Sequence, residues 1–159
     1  MRTANLSETG GPASDPKGSI QEKTMPFQTL IVEDSADYRH LLHEELSACF
    51  PAMDIQEAED GAAAAALIRK HAPDLIFMDI GLPGENGLEL TKKIKARHPR
   101  VIVIVLTNYD LPEYREMALR CRADYFLSKS GTTRDSILAL VATLVPALGL
   151  LEEKGVRTS

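Results

Sequence analysis

Five short apolar runs, each followed by a stretch with helical patterning, constrain this chain more than any other feature. Thr29–Val32, Met53–Ala58, Leu75–Met78, Val101–Leu106 and Tyr125–Leu127 read as strands, the second of them weak. Val101–Leu106 is the strongest, with six consecutive aliphatic residues, mostly β-branched. Residues 36–49 place Tyr38, Leu41, Leu42, Leu46 and Cys49 at helical spacing. Residues 61–71 carry the alanine run 62–66, and Pro73 follows them as a stop. Gly81, Pro83, Gly84 and Gly87 mark a loop, after which a helix runs to about His98, ahead of Pro99. Residues 112–121 form another helix, and a last one starts near Thr133 and reaches Pro146 or beyond. Strand and helix therefore alternate five times, which dictates a parallel sheet covered on both faces. The unbroken apolar strands agree, since a strand buried on both sides need not alternate.

The polar residues at the strand ends carry the chemistry. The first run ends in Glu33-Asp34, the third in Asp79 and the fourth in Thr107, and the fifth leads to Lys129. In a parallel sheet those ends share one edge, where open α/β sheets bind ligands. Three carboxylates brought together repel, and a cation is needed to keep all of them ionised. A hard divalent ion with oxygen ligands answers that need, and Mg2+ fits because it keeps positions open for water and phosphate. A carboxylate is also a nucleophile toward phosphorus, giving an aspartyl phosphate. Lys129 and the metal would neutralise the arriving charge, and the Thr107 hydroxyl could bond a phosphate oxygen.

The segments LIVEDS (30–35), DLIFMDIGLPGENGLEL (74–90), VIVLTN (103–108) and ADYFLSKS (123–130) resemble the receiver domain of two-component response regulators. The likeness covers about residues 27–145, and the four segments in order are specific where each alone is not. It implies a flavodoxin-like (βα)5 fold, a doubly wound parallel five-stranded sheet of order 2-1-3-4-5. It further implies that Asp79 is the phosphoacceptor, and that Glu33, Asp34, Asp79 and the carbonyl of Gly81 hold Mg2+. Thr107 would be the switch hydroxyl, Lys129 the partner of the phosphoryl group, and Phe126 the aromatic that rotates inward. Pro83 and Gly87 match the loop signature after the acceptor. The partners implied are a sensor histidine kinase or histidine phosphotransfer protein, and a downstream protein target. The resemblance makes this a phosphoaccepting signalling module, not an enzyme, with possible intrinsic autodephosphorylation.

Three departures from the common pattern involve four positions. Ser130 stands where many receivers have proline, and the peptide before it is expected to be trans. Asn108 follows the threonine where a small residue is usual. Gly81 and Tyr109 occupy positions at which the family tunes its own dephosphorylation. A haloacid-dehalogenase-like phosphatase is the enzymatic alternative, but it needs an acid two residues after the nucleophile, where this chain has Gly81. A receiver-like module that binds partners without phosphorylation is a third reading, disfavoured by the full set of site residues.

Composition bounds the partners. The net charge is −5, and aromatics are 5% with no Trp, which disfavours nucleic acid and anionic membrane surfaces. Ile137–Leu151 is the longest apolar stretch, 15 residues interrupted by Pro146 and Gly149, short of the roughly 20 needed to span a bilayer. Two cysteines make no disulfide framework, so the cytoplasm is the expected compartment. His40, His43, His71 and His98 form no ligand cluster with a cysteine and are given surface or packing roles.

Residues 1–25 read as a disordered arm, 27–151 as the receiver-like domain and 152–159 as a tail. With so little chain beyond the domain, a stand-alone receiver is expected. Ile137, Leu138, Leu140, Val141, Leu144, Val145 and Leu148 cover more than one face of the last helix. Since an edge helix buries one side, the other is expected to meet a target or form a homodimer.

Overall fold

The computed structural model describes residues 26–152, with side chains to residue 146. Five strands form one parallel sheet: β1 (Gln28–Val32), β2 (Asp54–Ala58), β3 (Leu75–Met78), β4 (Ile102–Thr107) and β5 (Tyr125–Ser128). Their order is β2-β1-β3-β4-β5, the doubly wound order expected. The helices are α1 (Ala36–Cys49), α2 (Gly61–Lys70), α3 (Gly87–Arg97), α4 (Pro112–Arg120) and α5 (Arg134–Glu152). The expected arm at 1–25, and the tail beyond Glu152, lie outside the described residues.

Side-chain alternation along the buried strands splits the core into two layers. Leu30, Val32, Ile76, Met78, Val103 and Val105 face α2, α3 and α4. Ile31, Leu75, Phe77, Ile104 and Leu106 face α1 and α5. The weak signal of β2 has a plain cause: it is an edge strand, and four of its five residues are exposed or half-buried.

Two helices differ from expectation in what they bury. In α1, Leu42 and Leu46 are buried, but Leu41 is 40% exposed and Cys49 is exposed. Leu41 sits about 100° round the axis from Leu42, off the sheet-facing strip. At the C-terminus the half-buried Phe50, not Cys49, packs onto the core. In α5, Ile137, Val141 and Leu144 are buried, and Leu138, Leu140 and Val145 pack half-buried against the same layer. Up to residue 146 the helix therefore leaves less apolar surface for a partner than its sequence suggests, while Leu148 lies outside the described side chains.

A buried cation locks the rim away from the acidic residues. Lys95 Nζ donates to Asp124 Oδ2 (2.9 Å) and to the carbonyls of Val101 (2.7 Å) and Pro99 (3.2 Å). Asp124 also accepts from the Val103 amide at 2.8 Å. An unpaired charge there would be costly, and the full set of partners removes that cost.

Candidate functional site

Each site residue stands where a strand ends. Glu33 and Asp34 follow β1, Asp79 follows β3, Thr107 closes β4 and Lys129 follows β5. β1 and β3 are neighbours, so the acids meet although 44 residues or more separate them in sequence (Asp79 less Asp34 is 45). One carboxylate oxygen from each of Glu33, Asp34 and Asp79 lies within 4.8 Å of the others. Lys129 Nζ donates to Glu33 Oε1 at 2.7 Å and sits 3.6 Å from Asp79 Oδ2. Four of the five groups expected at this edge, Glu33, Asp34, Asp79 and Lys129, thus lie together.

The pieces around them are held by short-range hydrogen bonds. The Glu33 carboxylate accepts from the Ser35 amide at 3.0 Å. Ser35 then caps α1, its Oγ accepting from the Tyr38 amide at 3.3 Å. Asp79 is fixed through its own amide, which donates to the Val32 carbonyl at 3.1 Å. The Lys129 amide donates to the Thr107 carbonyl at 2.8 Å, joining the two strand ends. Thr107 is fully buried, and its Oγ1 accepts from the Tyr109 amide at 3.2 Å. Gly87 has a steric reason: a Cβ there would fall 1.9 Å from the Asp79 carbonyl oxygen.

Burial pushes Glu33 above the ordinary carboxyl range, even against the hydrogen bonds from Lys129 and Ser35. Burial likewise raises the Tyr38 phenol, reinforced by the Glu33 charge. Asp79 is buried, and its Oδ1 has no hydrogen-bond partner. A buried oxygen with no donor, beside two further carboxylates, suits a hard cation such as Mg2+.

Phe126 is half-buried, with the Arg115 guanidinium 4.7 Å from its ring centroid and Asp110 holding that arginine at 3.0 Å. Asn108 is exposed. Tyr109 is the side chain that crowds the acceptor loop: a Cβ at Gly81 would lie 2.7 Å from its ring. All described peptide bonds are trans, the one before Ser130 included.

Sequence reasoning missed three features. Tyr38, read as one of an apolar stripe, carries its ring 4.3 Å from Lys129 Nζ. His43 and Arg39 both bond Glu57, at 2.6 and 2.8 Å, with His40 at 3.5 Å. Lys95, in a polar stretch of α3, is buried. Only the α1 pattern of Arg39, His40 and His43 hinted at a shared acidic partner.

Fold and rim together define an open α/β module with its chemistry at the carboxyl ends of its strands. Residues 29–142 match the response regulator receiver domain family, and the chain belongs to it. It is a receiver domain, the phosphoacceptor module of two-component signalling. The chain is 35% identical over 105 residues to the chemotaxis protein CheY of Halobacterium salinarum, a match covering 66% of this chain and 86% of that one. It is 29% identical over 119 residues to the probable transcriptional regulatory protein TcrX of Mycobacterium tuberculosis, covering 75% of this chain and 50% of that relative. Beyond CheY, it spans about half or less of the curated relatives it matches. The N-terminal domain of an uncharacterized Wolinella succinogenes protein aligns with TM-score 0.68 and 31% identity, covering 80% of this chain and 99% of that one. The signal receiver domain of a Colwellia psychrerythraea DNA-binding response regulator shares the fold, with TM-score 0.72 and 23% identity over 76% of this chain and 98% of that one. Receiver domains are signalling modules that bind Mg2+ at an acidic pocket, and Glu33, Asp34 and Asp79 form an acidic cluster at this rim. Among the described residues no helix is long and apolar enough to cross a membrane.

Proposed function

We propose that Asp79 accepts a phosphoryl group from a phosphohistidine of a sensor histidine kinase or a histidine phosphotransfer protein. A buried carboxylate with one unpartnered oxygen, 3.6 Å from a lysine ammonium, carries this reading. In the transfer an Asp79 oxygen attacks phosphorus in line, a P–O bond forms and the P–N bond to imidazole breaks. Imidazole leaves with its bonding pair and takes up a proton. Lys129 neutralises charge on the phosphoryl oxygens, and Thr107 supplies a hydroxyl toward them. Glu33, Asp34 and Asp79, with the Gly81 carbonyl, would hold Mg2+, which when bound offsets the phosphate charge.

Charge arriving at this rim would bias a two-state surface around Thr107 and Phe126, read by a downstream protein. Arg115 and Asp110 brace Phe126 in its half-buried place, which supports a switch role for the ring. The Tyr109 ring against Gly81 bears on water access and so on autodephosphorylation. Acetyl phosphate or a phosphorylated histidine kinase, with Mg2+, should label the chain once. Asp79→Asn should abolish the label, and retained labelling would refute the assignment.

A further inference from the structure

We infer that Tyr38 is a positioning residue whose ring face seats the Lys129 ammonium at the site independently of the carboxylates. The inference rests on the roles proposed for Asp79, Glu33 and Lys129. Three groups surround Lys129 Nζ: Glu33 Oε1 at 2.7 Å, Asp79 Oδ2 at 3.6 Å and the Tyr38 ring centroid at 4.3 Å. Both carboxylates belong to the acidic trio that suits a divalent cation. A cation drawn to them competes with the ammonium for the same oxygens and repels it. The ring does neither, because it is neutral and attracts a cation through its quadrupole. It also allows movement, since contact with a ring face does not demand one fixed hydrogen-bond direction.

The ring is placed rigidly. Ser35 caps the helix through the Tyr38 amide, so Tyr38 sits in the first turn of α1, directly after the acidic pair. Its ring packs against the layer containing Ile31, Leu42, Phe77 and Leu106. Lysine is long and loses much rotamer freedom when ordered. A ring braced by the core limits how far the ammonium can stray once Glu33 releases it.

Two measurements test this. In the metal-free protein, the Lys129 ε-methylene protons should be shifted upfield by the ring in NMR spectra of the wild type and of Tyr38→Phe. They should return to the ordinary lysine position in Tyr38→Leu. With Mg2+ present, beryllofluoride binding should weaken about three- to tenfold in Tyr38→Leu. Mg2+ affinity alone should stay within about twofold, and Tyr38→Phe should restore beryllofluoride affinity. In a Lys129→Met background, adding Tyr38→Leu should cause no further loss. An equal loss in that background, a Phe variant as weak as the Leu variant, or no ring shift on Lys129 would overturn the inference. A wild type that binds no beryllofluoride would overturn the phosphoacceptor reading and this inference with it.

Discussion

Lys129 Nζ bonds Glu33 Oε1 at 2.7 Å, a contact closed between residues 96 apart in the chain. The bond ties β5 to β1 across the intervening strands and sets an ammonium among the acids. Lys129→Met removes a positive charge beside the proposed metal position. Mg2+ should then bind at least several-fold tighter, because a like charge close to the ion has been removed. Beryllofluoride should bind more weakly, because its fluorines lose the ammonium. Calorimetric titration of both ligands checks the prediction, and movement in the same direction for both would defeat it.

Glu33 makes the metal-free stability fall with pH. Its carboxyl is held above the usual 4.5 by burial, so the folded state binds the proton more tightly than the unfolded state. Stability from this group is therefore fullest below pH 4.5 and declines as pH rises through the folded value. Glu33→Gln cannot ionise and escapes the decline. In urea melts without Mg2+, the variant should gain on the wild type as pH is raised through that window. A gap that does not change with pH would contradict the assignment.

Glu57 has the opposite sign. Burial would raise its carboxyl, but hydrogen bonds from Arg39 and His43 outweigh that, with His40 adding to them, and hold it below 4.5. Its contribution is present above pH 4.5 and lost as pH falls through the folded value. Glu57→Gln should cost about 1 kcal/mol at neutral pH, given the partial exposure of the cluster. The cost should vanish in strongly acidic urea melts, and a cost that persists there would rule out ionisation as its source.

Gly87→Ala should damage both stability and the site. The added methyl group meets backbone, with the Asp79 carbonyl oxygen at 1.9 Å and its carbon at 2.8 Å. The acceptor loop and the start of α3 must move apart, at about 1–3 kcal/mol. Thermal melting should show that loss, and labelling of Asp79 should slow. Wild-type stability in the variant would mean that the loop is looser than the contact implies.

Much of the site was legible before any fold was known. Glu33-Asp34, Asp79, Thr107 and Lys129 each follow an apolar run, and parallel strands put such ends on one edge. The side chains that brace the site were not legible. Tyr38 fits an apolar stripe in α1, and nothing local says that its ring meets an ammonium 91 positions later (129 less 38). Lys95 looks like any solvated lysine of a helix, and its burial depends on Asp124 arriving from the start of β5.

By itself the sequence determined the alternation of strand and helix, the parallel sheet, and the residue types at its carboxyl edge, because hydrophobic period and chain polarity are local properties. Which of those residues touch was decided only when the crossovers set the order β2-β1-β3-β4-β5. That order brings β1 beside β3, so the acids share one small volume and Lys129 reaches them with Tyr38 at its flank. Burial, partner distance and the raised carboxyl of Glu33 follow from that packing, since each depends on residues distant in sequence that come close only in space.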